Sequence, residues 1–277
     1  MSPVPGDFVS PQHILHPYEV RTIKYGASNS QVGDLYLPKA TRPSVVCLLH
    51  GGFWRMPYGR DEFDPVARDL ASRNFAVWNL EYRRMGEPGG GWPGTFQDVA
   101  AGIDHLASLV GEGIELDLGR VVVVGHSAGG HLALWSSAQN HKQSPLHTPV
   151  RVRPAGAVGL AAVVDLARTS SLCSGDCAVV AFLDGSPSQQ SVRYAVTSPI
   201  AMLPLGVNQL IVHGGMDETL PVEIAREYVQ AARAAGDSVQ FSELPRAGHM
   251  DFLDPRSDAH ATLCAWLEQL SEHGGGA

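Results

Sequence analysis

Long hydrophobic runs are missing from this 277-residue chain: no apolar stretch approaches the roughly 20 residues that a bilayer-spanning helix needs, which excludes an integral helical membrane protein. Blocks of Lys and Arg are missing too. With 20 basic against 28 acidic residues the formal charge is −8, and the pI is near 5.8, so a surface for nucleic acid or anionic lipid is not expected. Cysteine is scarce. Of the four, Cys47 and Cys264 lie in apolar segments as core residues, and Cys173 and Cys177 share a loop-like Cys-Ser-Gly-Asp-Cys segment that leaves a disulfide open. No further Cys or His near that segment completes a zinc set. Residues 1–7 lack the basic and apolar regions of a signal peptide, so a cytoplasmic location is expected. The hydrophobic fraction of 44% and charged fraction of 17% are those of an ordinary globular enzyme, and the length suits one α/β domain over residues 1–277.

What is present is a pattern of alternation. Extended segments are expected near 32–37, 44–49, 75–81, 119–125, 155–162, 208–213 and 238–243, and helices near 61–73, 95–110, 127–139, 221–235 and 256–271. Such alternation implies a mostly parallel sheet with helices on both faces. The segment at about 165–207 breaks the rhythm and reads as a cap or lid inserted between two strands. Residues 86–94 form a Gly/Pro-rich loop around Trp92, and the Gly-rich end from His273 is expected to fray.

The most informative stretch is Val121-Val-Val-Val124-Gly125-His126-Ser127-Ala128-Gly129. Four β-branched residues make a strand buried on both faces, and it runs straight into Gly-x-Ser-x-Gly and a helical pattern. Ser127 therefore sits on a sharp strand-to-helix turn, where a strained backbone presents its hydroxyl and the Ala128 N–H stands at the helix start. A phosphate-binding reading fails, since no Gly-Lys-Ser/Thr follows and the dinucleotide spacing is absent.

A serine hydroxyl needs a base and a carboxylate that orients the base. Ligands of open α/β sheets bind at the carboxyl ends of the strands, so the loops there are the places to look. Asp217 follows the strand at 208–213, and His249 follows the strand at 238–243. The chain order Ser127, Asp217, His249 is that of an α/β-hydrolase. Glu218 and Asp251 are rival acids, His126 is assigned to packing at the elbow, and His213 to a strand end. After the strand at 44–49, His50-Gly51-Gly52-Phe53-Trp54 offers the N–H groups of Gly52 and Phe53 as oxyanion donors beside Ala128, with His50 as a brace. Trp54, Tyr58, Tyr82 and Trp92 are candidates for an aromatic substrate pocket, with simple packing as the alternative. Arg83 or Arg84 is a candidate for a substrate carboxylate, against the commoner surface role.

With these residues assembled, the chain resembles the α/β-hydrolase superfamily from about residue 30 to 270. His-Gly-Gly-x-Trp at 50–54 and Gly-His-Ser-Ala-Gly at 125–129 look like the serine-dependent kynurenine formamidases and related small-molecule carboxylesterases. Phe53 replaces the third glycine of the lipase-like relatives, whose substrate range is not carried over. The resemblance implies acyl transfer from a small ester or formamide to Ser127, then hydrolysis by water, with no cofactor. An aminopeptidase-like activity on short peptides and a non-catalytic binding protein are the alternatives, and the sequence leaves a homodimer open.

Overall fold

The valine run becomes the centre of the molecule. In the computed structural model, which describes residues 16–138, 146, 151–173 and 175–273, Val121 and Val123 enter one apolar core and Val122 and Val124 the other, all of them buried. A strand buried on both faces has no polar side to alternate with, which is why β-branched residues run unbroken here.

Among the described residues, eight strands form one sheet: β1 (Tyr18–Lys24), β2 (Val32–Pro38), β3 (Ser44–Leu49), β4 (Ala76–Leu80), β5 (Asp117–His126), β6 (Gly156–Leu160), β7 (Asn208–Gly214) and β8 (Val239–Leu244). Their spatial order is β1-β2-β4-β3-β5-β6-β7-β8. β2 pairs antiparallel with both β1 and β4, and every other pairing is parallel.

Two helices cover one face. α1 (Asp64–Ser72) and α8 (Asp258–His273) bury Val66, Leu70, Leu263 and Leu267 in the core that holds Val122 and Val124. On the other face α2 (Gly94–Gly111), α3 (Ala128–Ser137) and α7 (Val222–Ala234) bury Phe96, Ile103, Leu132, Ile224 and Tyr228 around Val121 and Val123. The spacing of three or four residues between the buried positions of α2 and α7 is the helical period expected of one apolar stripe.

The segment between β6 and β7 holds three short helices, α4 (Leu166–Leu172), α5 (Ala178–Phe182) and α6 (Ser191–Thr197), and a 3-10 turn at Pro199–Met202. Val179, Phe182 and Tyr194 carry it into the core that holds Val121 and Val123. Cys173 and Cys177, left open by the sequence, are joined as a disulfide that closes the loop between α4 and α5. These elements lie between β6 and β7, the stretch where the alternation breaks.

One strand escapes the sequence reading. β1 has a largely exposed surface, with Glu19, Arg21 and Lys24 among its seven residues, so its apolar alternation is too weak to signal a strand; its pairing with β2 defines it. Residues 1–7, 139 and 274–277, to which the expectations for the start, a helix end and a frayed terminus apply, lie outside the described residues. Among the described residues, no helix is long and apolar enough to cross a membrane.

Candidate active site

Ser127 sits between β5 and α3 with φ 53° and ψ −116°, a left-handed backbone that costs a non-glycine residue on the order of 1–3 kcal/mol. Its surroundings hold it there. The Ser127 N–H donates to the Leu160 carbonyl at 2.9 Å, and the Ser127 carbonyl accepts from the Val163 N–H at 3.2 Å. The flanking glycines are steric necessities: a β-carbon on Gly125 would lie 2.1 Å from the Gly129 carbonyl oxygen, and one on Gly129 would lie 2.0 Å from that of Leu49. The turn is therefore wedged against the end of β3.

The loops after β7 and β8 bring the two expected partners to this serine. His249 Nδ1 donates to Asp217 Oδ2 at 2.8 Å, since an ionised carboxylate only accepts, and this leaves His249 Nε2 to accept from Ser127 Oγ at 3.0 Å. The Asp217 side chain is fully enclosed, and its Oδ1 accepts from the N–H groups of Thr219 and Leu220, each at 2.8 Å. Burial works to raise the Asp217 carboxyl, but the His249 bond and the two amides outweigh it and hold it below the usual carboxylate range.

Two further histidines position this set. His126 Nε2 donates to the main-chain carbonyl of His249 at 2.8 Å, which pins the loop carrying His249 to the turn at Ser127. His213 Nε2 donates to the Leu220 carbonyl at 2.9 Å and stands 3.4 Å from Asp217 Oδ2. His126 sits at the elbow and His213 at a strand end, and their bonds run to the loops that carry His249 and Asp217. The rival acids lie elsewhere: Glu218 is exposed, and Asp251 accepts from the Gly248 N–H at 2.8 Å.

The His50–Trp54 loop passes beside the serine through three consecutive left-handed residues, Gly52 (φ 87°), Phe53 (φ 56°) and Trp54 (φ 56°). A β-carbon on Gly52 would strike Tyr58 at 2.1 Å. Among the described residues, the N–H groups of Gly52, Phe53 and Ala128 donate to no main-chain acceptor outside the helices and strands. His50 braces the loop: its Nε2 donates to Glu81 Oε1 at 2.8 Å, its ring stacks on Tyr82 at 4.2 Å, and its carbonyl accepts from the Tyr82 hydroxyl at 2.7 Å. Glu81, which the sequence reading missed, also meets Arg84 at 3.3 Å and the Arg60 N–H at 3.1 Å. Trp54 Nε1 donates to the Ala128 carbonyl at 3.1 Å, so the loop and the elbow are tied directly.

A cavity of about 440 Å³ opens beside Ser127 and Ala128, with Trp54, Tyr58, Leu172 and Val179 in its walls. Two aromatic candidates are corrected. Tyr82 is wholly buried under His50, and Trp92 packs edge-on to Phe96 at 5.7 Å beneath the Arg193 guanidinium, so neither lines the cavity. Arg83 and Arg84 are corrected as well: Arg83 forks onto Asp98 at 2.7 Å through both Nε and Nη2, and Arg84 is held by Glu87, Glu81 and the Tyr58 carbonyl. Each arginine already has its carboxylate, and each serves the loops behind the site.

Fold and site together define an α/β-hydrolase with a strained strand-to-helix turn at Ser127. The chain belongs to the BD-FAE family, whose profile matches residues 33–231. It is similar to esterase LipC of Mycobacterium tuberculosis, with 29% identity over 248 residues that cover 84% of this chain and 60% of that protein. This chain therefore spans less than two thirds of that relative. Among solved structures it is similar to esterase B from Lactobacillus rhamnosis (TM-score 0.76, 19% identity, covering 95% of this chain and 89% of that one). It is also similar to a thermophilic esterase from Thermogutta terrifontis (TM-score 0.71, 22% identity, 92% of each chain). At these identities the structural likeness establishes the fold.

Proposed function

We propose that the protein is a serine carboxylesterase that hydrolyses small acyl esters through an acyl-enzyme on Ser127. The observation that carries this reading is the unbroken chain of bonds from Asp217 through His249 to Ser127 Oγ, set on a strained elbow beside N–H groups free of main-chain acceptors. Family membership and the esterase relatives support the ester bond over the formamide bond as the one cleaved.

In this mechanism His249 Nε2 takes the Ser127 proton as Oγ attacks the carbonyl carbon. Asp217, ionised and held by two amides, keeps the imidazole in the tautomer that can accept and stabilises the imidazolium that forms. Negative charge develops on the carbonyl oxygen, which turns toward the N–H groups of Ala128 and the Gly52–Phe53 turn. Each such donor is worth about a hundredfold or more in rate, because it is fixed before the charge appears. Collapse expels the alcohol, protonated by His249, and a water activated by the same ring then releases the acid. The cavity of about 440 Å³ beside the nucleophile accommodates the acyl group.

The test is a panel of p-nitrophenyl acetate and longer acyl esters beside N-formylkynurenine, run on wild type and Ser127→Ala. Ester hydrolysis that disappears in Ser127→Ala and exceeds formamide turnover is the expected result. Preferential turnover of the formamide would replace the esterase reading by a formamidase one, and full ester hydrolysis by Ser127→Ala would overturn the mechanism.

A further inference from the structure

The walls of the cavity beside Ser127 are mostly apolar, and their two charged residues face each other. Arg55, the residue after Trp54, forks onto Asp176 with Nη1–Oδ2 at 2.7 Å and Nη2–Oδ1 at 2.8 Å. The two ends of this pair differ in anchorage. The Arg55 main chain is fixed: its N–H donates to the Gly52 carbonyl at 2.9 Å, and the flanking residues exchange bonds with Met85, Met85 N–H to Trp54 carbonyl at 2.8 Å and Met56 N–H to Met85 carbonyl at 3.2 Å. Its side chain is 31% exposed. Asp176 lies in the loop between α4 and α5 with its side chain 75% exposed, and Arg55 is its one recorded side-chain partner among the described residues.

The arginines behind the site, by contrast, are saturated. Arg84 has two carboxylates and a carbonyl around it, and Arg83 a bidentate aspartate. Arg55 is the cation in the cavity wall whose partner stands mostly in water, and exposed ion pairs of this kind are weak because water competes for both ends. A carboxylate that arrives inside the cavity meets the same fork that now holds Asp176, and a bidentate bond from arginine to a carboxylate is of the strong, charge-assisted kind.

Resting on the esterase reading above, we propose that Arg55 is a specificity-determining residue that receives a carboxylate at the far end of the substrate's acyl group, with Asp176 as the resident ligand that this carboxylate displaces. The site then favours half-esters of dicarboxylic acids over their uncharged counterparts of equal length. Exchange of partners at Arg55 breaks no covalent bond, and it returns Asp176 to water. The Arg55 backbone belongs to the turn that presents the Gly52 and Phe53 amides, so an acyl group held at Arg55 has its position set relative to the developing oxyanion.

The experiment compares p-nitrophenyl half-esters of succinic, glutaric and adipic acids with the butyrate, valerate and hexanoate esters, at one ionic strength. The readout is the ratio of kcat/KM for each charged ester to that of its neutral match, within each variant. Arg55→Gln should lower the best ratio at least about tenfold, the scale of a lost hydrogen bond to a charged group. Asp176→Asn, which frees the fork, should raise it about fivefold. Arg21→Gln, on the outer strand β1, removes one cation far from the cavity and reports any effect of net charge. If Arg55→Gln or Asp176→Asn leaves every ratio where Arg21→Gln leaves it, the proposal fails, and the pair is only a clasp between two loops. Failure of the esterase reading looks different: both classes of ester would then be cleaved as fast by Ser127→Ala as by wild type.

Discussion

Acidification from pH 7 to pH 5 should destabilise the fold by about 2 kcal/mol through His131 alone. This residue of α3 is completely buried, with the rings of Trp54, Phe96 and Phe182 around it at centroid distances of 5.4, 5.8 and 6.1 Å. Its Nε2 donates to the Thr197 carbonyl at 2.9 Å, while Nδ1 has no partner among the described residues. Burial pushes its pKa down to about 4, and the Thr197 carbonyl offsets only part of that. In the unfolded chain a histidine titrates near 6.5, so between these values the unfolded state binds a proton that the folded state refuses. Stability is therefore complete above about pH 6.5 and declines as the pH falls toward 4. Linkage over that interval amounts to about 2 kcal/mol at pH 5 and about 3.4 kcal/mol in the limit. His126 is also pushed down to about 4, by burial and then by His249, but its contact with the acid and base loops makes it the less clean probe. The assay is urea unfolding at pH 7 and pH 5 for wild type and His131→Phe. Phenylalanine removes the titration and the bond to Thr197, so it lowers stability at both pH values. The loss on acidification should be smaller in His131→Phe by about 2 kcal/mol. Equal losses in the two proteins would refute the assignment.

Other perturbations bear on the site. Asp217→Asn should leave the protein folded and reduce kcat by about 10³- to 10⁴-fold, because an amide donor favours the wrong imidazole tautomer; Glu218→Gln should stay near wild type in the same ester assay. Gly129→Ala drives a β-carbon to 2.0 and 2.3 Å from the carbonyl oxygens of Leu49 and His50, so a thermal melt should show a loss of more than about 2 kcal/mol or no folded protein. Glu81→Ala leaves His50 and Arg84 without their shared carboxylate and should cost about 3–5 kcal/mol in urea unfolding, with residual activity reduced through kcat because the oxyanion turn loses its brace.

Local sequence carries the parts of this molecule that local chemistry determines. Val121 to Val124 declare a doubly buried strand, Gly125 and Gly129 a close approach of backbone, and the positions of Asp217 and His249 just past strand ends suffice to place both beside Ser127. What local sequence does not carry is which polar groups meet across the fold. Glu81 is 31 residues from His50, the His249 carbonyl is 123 residues from His126, and neither pairing leaves a periodic trace. The aromatic residues show the same limit. Trp54, Tyr58, Tyr82 and Trp92 are all aromatic, but which way each one faces depends on its neighbours: Trp54 stacks on Phe182, Tyr82 on His50 and Trp92 packs against Phe96, and two of the four do not line the cavity. β1 was silent because both its faces are largely wet, so it obeys no apolar alternation.

Everything in the proposed mechanism turns on Ser127 acting as the nucleophile of a covalent pathway. Treatment with a fluorophosphonate followed by peptide mass mapping tests it most directly. One adduct per chain, on the peptide containing Ser127, lost in Ser127→Ala and formed far more slowly in His249→Ala, is the predicted result. An adduct on another residue, or undiminished labelling of Ser127→Ala, would contradict it.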